Sequence, residues 1–319
     1  MTPYVTIIIP NYNKGDLVRR SMESLLCQTY AKWEAVVVDD ASTDNSWKII
    51  EEYAAMDSRI RAVRNDENQG GCYSRNRGAQ MATGKYFVFF DSDDWLADDC
   101  LEVRVREFEK EENQYIDMLI FEMMTTKDGL HGRLWTSGDR QKALVSFLRH
   151  SMPWTIMMPI WRREAFEKVG GFDETFPRLQ DVELHTRALL YGLTYRFAER
   201  KTPDCFYFVD DVRMTMDYET MLEKFVDAIL MYVEKMAALV RTRVERVALG
   251  ESLMAAIRRV GDCYQAGRIG RKLRDKLCCD VLKSDRGSIW VRTYGRLYSI
   301  GCNKMHGFNF LYRKLYRMF

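Results

Sequence analysis

Apolar positions in the first part of the chain fall into short continuous runs separated by polar, helix-spaced segments. Tyr4 to Pro10 (YVTIIIP) and Trp33 to Asp39 (WEAVVVD) are β-branched runs, the pattern of strands covered on both faces. Between them, DLVRRSMESLLCQ sets Leu17, Met22, Leu25 and Leu26 at near-helical spacing, with Asp16 in the N-cap position. After the second strand, Ser42 to Asp44 offer caps for a helix carrying Trp47, Ile50 and Tyr53. RIRAVRN reads as a weaker third strand, CYSRNRGAQMAT as a helix ended by Gly84, and YFVFF as a fourth strand. A helix from about Asp98 to Glu112 and a fifth strand at IDMLIF follow. This alternation predicts an α/β fold with a mostly parallel, doubly wound, Rossmann-like sheet. Such sheets bind ligands beyond the carboxyl ends of their strands.

Polar and acidic residues gather at those ends. Strand one runs into Pro10-Asn11-Tyr12-Asn13, strand two into Asp39-Asp40, and strand four into Asp91-Ser92-Asp93-Asp94. An Asp after a strand often caps the next helix, which accounts for Asp44 and is an even alternative for Asp94 and Asp98. It does not absorb Asp39, Asp40, Asp91 and Asp93 together. Clustered carboxylates in a cleft call for a cation, and hard oxygen donors suit Mg²⁺ or Mn²⁺. Mg²⁺ takes only one or two carboxylates and completes its shell from water and substrate phosphates, so a phosphorylated ligand is expected with it. Two nucleotide motifs are excluded. GAQMATGKY has five residues rather than four between Gly78 and Gly84, with Tyr86 where a P-loop needs Ser or Thr, and no GxGxxG follows strand one.

Charge divides the chain of 319 residues. The net charge is +2, yet residues 241–319 hold 18 basic and 6 acidic residues, a balance of +12. Residues 1–240 hold 30 basic and 40 acidic, a balance of −10. The eight cysteines show no CxxC or Cys/His ligand spacing, so free thiols in a reducing cytoplasm are expected rather than zinc or disulfides. No leader-like segment opens the chain, and no apolar run nears the roughly 18 residues of a membrane span. A cytoplasmic location follows as an expectation.

Three segments, VTIIIPNYNKGDLVRRSMESLLCQTYAKWEAVVVDDASTDNS, GCYSRNRGAQMATGKYFVFFDSDDW and GGFDETFPRLQDVELHTRAL, resemble the family 2 glycosyltransferases of the GT-A fold, of the bacterial cell-surface polysaccharide type. The likeness covers roughly residues 4–210, in the family's order and spacing. It implies a nucleotide-sugar half at about 1–95, an acceptor half at about 96–210, and a helical, basic region at 211–319. It also implies an inverting hexosyl- or N-acetylhexosaminyltransferase that uses a nucleotide-sugar, UDP-linked, and a saccharide or lipid-linked acceptor. By the same resemblance Tyr12 stacks on the base, Asp40 accepts a hydrogen bond from it, and Pro10, Arg75 and Ser92 lie along the nucleotide. Asp91-Ser92-Asp93 resembles the DxD motif, with Asp93 the main ligand of Mn²⁺ or Mg²⁺ and Asp91 beside the metal or ribose. Asp181 matches the general base of the ED motif, with Gln180 where the family most often has Glu. The family often places a further ligand near FYFVDDVRMT, where no His stands and Asp210 or Asp211 is the candidate.

The chemistry fits these roles. A departing diphosphate needs stabilising charge, and the attacking hydroxyl must lose a proton to a carboxylate within reach. Other residues keep two readings. Trp154 and Trp161 in WTIMMPIW, a strand or loop, either stack on sugar or pack in the core, the commoner fate. They could also raise the basicity of Asp181, which its helix N-terminus lowers. His185, one turn after Asp181, either orients it or faces solvent.

Beyond Asp211 the sequence is helix-like and rich in Met and Ala. It ends in RIGRKLRDKL and GFNFLYRKLYRMF, where basic residues interleave with aromatic ones. No nucleic-acid module accompanies them. An anionic membrane surface, where each Lys or Arg contributes about 1 kcal/mol, and a solvated basic face are the two readings. The first brings the protein to the inner face of the membrane. Competing functions are a sugar nucleotidyltransferase, for which PNYNKG lacks a Gly-rich basic loop, and an inactive nucleotide-sugar-binding scaffold.

Overall fold

A computed structural model describes residues 4–127, 131–209, 217–284 and 289–299, with 309 and 312. The chain divides into two compact units. The first takes Met1–Thr136, Trp154–Thr175 and Tyr191–Asp210; the second takes Ser137–Pro153, Phe176–Leu190 and Asp211–Phe319. Asp211, from which the sequence changes character, opens the last segment of the second unit, and two earlier segments join it there.

In the first unit β1 (Val5–Asn11), α1 (Leu17–Leu26), β2 (Trp33–Asp39), α2 (Ser46–Met56), β3 (Ile60–Arg64), α3 (Gly71–Met81) and β4 (Tyr86–Phe89) alternate as the apolar runs predict. Then come β5 (Trp95–Leu96), α4 (Cys100–Phe108), β6 (Met118–Ile120), β7 (Met123–Thr126) and β8 (Gly132–Leu134). The second unit claims α5 (Ala143–Leu148) and α7 (Gln180–Leu190), while β9 (Pro159–Arg162), α6 (Arg163–Val169), β10 (Tyr195–Phe197) and β11 (Cys205–Phe208) return to the first. The helix expected over 98–112 is shorter, and a 3₁₀ turn at Glu111–Asn113 follows it.

The main sheet has seven strands in the order β10-β6-β9-β4-β1-β2-β3. All its pairings are parallel except those of β9, which runs antiparallel between β4 and β6. Ile8 of β1 lies between Val36 and Phe89, and all three are buried, which is why these strands read as unbroken apolar runs. Because β2 and β4 flank β1, the chain reverses its direction across the sheet there, leaving a crevice at the carboxyl ends of β1 and β4. A second sheet, β5-β11-β7-β8, was not foreseen from the sequence. A buried ion pair ties it to α4: Arg104 donates Nε and Nη2 to Asp204 at 2.8 and 2.7 Å, and Nη1 to the Met157 carbonyl at 2.9 Å.

WTIMMPIW supplies β9, and both of its tryptophans are wholly buried. The Trp154 ring packs on Tyr195 and Phe197, and that of Trp161 on Phe166. Neither offers a face to a sugar, so the stacking role is corrected to core packing.

The second unit is helical. With α5 and α7 it contains α8 (Tyr218–Ala237), α9 (Arg243–Gln265), α10 (Arg271–Ser284) and α11 (Ile289–Ser299). Asp217 caps α8, and Thr242 with Glu245 forms a capping box on α9, satisfying N-terminal N–H groups that would otherwise lack partners. Leu222, Val226, Ile229, Leu253, Ile257 and Val260 face one another in its core, joined by Val281, Tyr294 and Tyr298. At Gly261 an added Cβ would lie 2.1 Å from the Tyr298 ring, so only glycine lets α11 approach α9 this closely. The seven described cysteines are free thiols. No helix among the described residues is long and apolar enough to cross a membrane.

Candidate active site

The site grows from the carboxyl ends of β1, β2 and β4 in the first unit. The turn after β1 brings Lys14 across the crevice, where its Nζ donates to Asp93 Oδ2 at 2.5 Å. On α3, Arg75 is 8% exposed and donates Nη2 to Asp91 Oδ1 at 2.6 Å. From α1, Arg20 donates to the Asp93 carbonyl at 2.9 Å, its guanidinium lying over the rings of Trp95 and Phe208. The acidic loop is clasped from below, since the buried Ser21 hydroxyl donates to the Ser92 and Asp94 carbonyls. Three cations therefore accompany a loop with three carboxylates and offset the mutual repulsion of those acids.

The acids split into structural and available groups. Asp39 is fully buried and accepts from Asn11 Nδ2, the Ser42 hydroxyl and Ser42 N, with Arg64 Nε at 3.4 Å. Its role is to fix the turn after β2. Asp94 Oδ1 accepts from Phe208 N at 2.7 Å, which anchors β11 rather than capping a helix. Asp44 accepts from Ser46 N at 2.9 Å, next to Asn45, the N-cap of α2, close to its expected role. Asp98 caps no helix; the N-cap of α4 is Asp99, without a side-chain bond. Asp40 accepts from Asn65 Nδ2 at 2.6 Å, Gln69 N at 2.9 Å and Gly70 N at 2.7 Å. It holds the loop leading into α3, and three of its four or so lone-pair positions are filled.

Asp93 and Asp91 remain as hard oxygen donors at the crevice. Among the described residues, no three His, Cys, Asp or Glu side chains gather into a ready metal cage. The spot beside Asp93 Oδ2 is nonetheless one that a cation, the Lys14 ammonium, already occupies. One carboxylate with a second nearby fits a divalent ion that draws its other ligands from substrate.

Tyr12, beside this cluster in sequence, is 46% exposed, an aromatic face open to stacking. Pro10 sits within β1, opposite Val38. The Ser92 hydroxyl is buried with no hydrogen-bond partner among the described residues, an uncommon state for such a group.

Asp181 belongs to the second unit, in the first turn of α7, where its Oδ1 accepts from Val182 N at 2.9 Å. Gln180 opens the helix and donates to the Phe176 carbonyl at 3.2 Å. His185 is fully buried beside the Phe147 ring, which rules out the solvent-facing reading. Burial pushes its imidazole down to about 3, with the Asp181 backbone opposing, so it is neutral at physiological pH. Farther along α7, the buried Glu183 pairs with Arg187 and Lys235. Asp210 and Asp211 lie outside the described residues.

Sequence reasoning missed Lys14 and Arg20. Both follow β1 in sequence, 79 and 73 positions from Asp93. The signal available was the charge imbalance itself: a buried acidic loop requires cations, and the neighbouring strand end is where to seek them.

The description of glycosyl transferase family 2 matches residues 6–170 of the chain. A putative teichuronic acid biosynthesis glycosyltransferase, TuaG of Bacillus subtilis, is 40% identical over 100 residues, 31% of this chain and 40% of TuaG. WfgD of Escherichia coli, a UDP-Glc:alpha-D-GlcNAc-diphosphoundecaprenol beta-1,3-glucosyltransferase, is 42% identical over 95 residues, 29% of this chain and 36% of WfgD. The chain thus spans well under half the length of these two relatives. Among solved structures, residues 1–349 of TarS from S. aureus in complex with UDP-GlcNAc superpose with a TM-score of 0.65 at 18% identity, over 93% of this chain and 92% of that one. That likeness establishes the GT-A fold. With the family description covering more than half its length, the chain belongs to glycosyl transferase family 2.

Proposed function

We propose that this protein is an inverting, metal-dependent glycosyltransferase that moves a hexosyl or N-acetylhexosaminyl group from a UDP-sugar to a hydroxyl of a saccharide or lipid-linked acceptor, in surface polysaccharide synthesis. The observation that carries this reading is the pairing of Asp93 with Lys14 and of Asp91 with Arg75 at the strand ends, with the exposed ring of Tyr12 two positions before Lys14 in sequence. The names of TuaG and WfgD and the UDP-GlcNAc complex of TarS support the donor and acceptor classes.

In this reading Tyr12 stacks on uracil, and Asp40 uses its remaining lone pair to accept the base N–H. Pro10 and Ser92 line the nucleotide. Lys14 and Arg75, already beside the acidic loop, supply positive charge to the diphosphate. Asp93, with Asp91, would hold Mn²⁺ or Mg²⁺; when bound, the ion supplies Lewis-acid stabilisation of the departing diphosphate. Asp181 takes the proton of the acceptor hydroxyl, whose oxygen bonds the anomeric carbon as the bond to UDP breaks on the opposite face. That single displacement inverts the anomeric centre.

The test is a panel of UDP-, GDP- and dTDP-sugars, each with Mn²⁺ and with EDTA, reading binding and release of nucleotide. One UDP-sugar should bind only with metal and release UDP slowly. If a donor binds but none is turned over, the scaffold reading takes its place; if no donor binds under either condition, both readings fail.

A further inference from the structure

The helical unit contains a cavity of about 750 Å³ for which the transfer chemistry above has no use. Leu222 and Phe225 of α8 and Met254 of α9 give it apolar walls. Arg149, Arg178, Arg258 and Arg259 also line it, against three acids. Each acid has a partner of its own. Asp139 accepts from the backbone N–H groups of Gln141 and Lys142 at 3.0 and 3.3 Å. Glu251 pairs with Arg149 at 3.2 Å, and Asp262 accepts the Tyr298 hydroxyl at 2.8 Å. Among the described residues no carboxylate pairs with Arg178, Arg258 or Arg259. His150 at the wall lies edge-on to Phe225.

Four arginines against three carboxylates leave the cavity with a net positive charge, and Arg178, Arg258 and Arg259 stand without a direct carboxylate partner among the described residues, which favours entry of an anion. Arginine forks match phosphate oxygens in pairs, which favours phosphate over a halide or a lone carboxylate. The volume lies within the range of pockets for drug-sized ligands, far beyond one phosphate group, and the apolar wall has to be covered as well. We infer that this cavity binds a diphosphate carried on an apolar tail, the chemistry of a prenyl-linked saccharide. The inference deepens the proposed function by giving the lipid-linked acceptor a binding site of its own, and rests on that reading only for the ligand's source.

The test uses the full chain, with farnesyl diphosphate and inorganic pyrophosphate titrated separately by calorimetry, and UDP plus Mn²⁺ as a third titration. Farnesyl diphosphate should bind at least about tenfold more tightly than pyrophosphate. The double variant Arg258→Gln, Arg259→Gln should weaken farnesyl diphosphate tenfold or more while leaving UDP binding and thermal unfolding unchanged. Arg178→Gln, on a separate segment, should weaken it in the same direction and guards against a local folding defect. Equal affinity for the two diphosphates would overturn the apolar-tail assignment. Full retention of binding in both variants, or no binding to the native protein, would overturn the site. Loss of UDP binding by the native protein would instead count against the proposed function, so the two failures are distinguishable.

Discussion

Asp93 shows how one residue's role depends on what reaches it. Its carboxylate is held by Lys14, so a metal bound there has to displace an ammonium group. Replacing Asp93 with Ala should weaken metal-dependent UDP binding at least tenfold, read by calorimetry with Mn²⁺; unchanged affinity would remove Asp93 from the site. Asp181→Asn removes the carboxylate proposed as the base, which belongs to the second unit. Turnover should fall by about 10² to 10⁴ while UDP binding stays within twofold, and near-normal turnover would end the base assignment. At this scale the sequence located the acids at the strand ends but not their division of labour. Asp39 and Asp40 are adjacent carboxylates at the end of the same strand, yet one fixes the turn after β2 together with Asn11 and the other secures the loop before α3. That difference comes from donors up to 30 positions away, which no local pattern records.

At the scale of elements, close packing imposes the sharper constraints. The α9–α11 contact leaves no room for a side chain at Gly261, so Gly261→Ala should destabilise the helical unit by about 1–3 kcal/mol through overpacking. Chemical denaturation would read this, and an unchanged midpoint would mean that α11 shifts freely. Helix α7 carries a second constraint. His185 there is held down to about 3, and the nearby His150 of the same unit down to about 4, both by burial. The unfolded chain, with histidines near 6.5, therefore binds more protons below that pH than the folded one. Stability is full above pH 6.5 and falls as pH drops toward 4, by up to about 1.4 kcal/mol per pH unit for each histidine. His185→Gln should flatten this slope between pH 6.5 and 5 in thermal unfolding; an unaltered slope would show that His185 protonates freely in the fold.

For the whole molecule, charge distribution is the feature the sequence carried without help. The excess of 18 basic over 6 acidic residues in 241–319 should bind the protein to anionic vesicles, with binding that declines as salt rises from about 0.05 to 0.5 M. A wholly soluble protein with no vesicle binding at physiological salt would leave only a solvated basic face. RIGRKLRDKL falls largely on α10, whereas most of GFNFLYRKLYRMF lies outside the described residues.

The sequence by itself determined the strand–helix alternation of residues 4–121, because strands covered on both faces must be written as continuous apolar runs. It also determined where the acids cluster, because the turns after such strands are short and polar. Tertiary structure alone decided the rest. It set β9 antiparallel in the middle of the sheet, since a four-residue strand carries no mark of its direction. Burial of Trp154, Trp161 and His185 was decided the same way, because an aromatic ring looks alike in sequence whether it faces a ligand or a core. Finally, it placed α7, with Asp181, among the C-terminal helices through Thr186, whose hydroxyl meets that of Tyr232 at 2.9 Å. A bond between residues 46 positions apart depends on how the chain closes on itself, and the sequence near either residue says nothing of it.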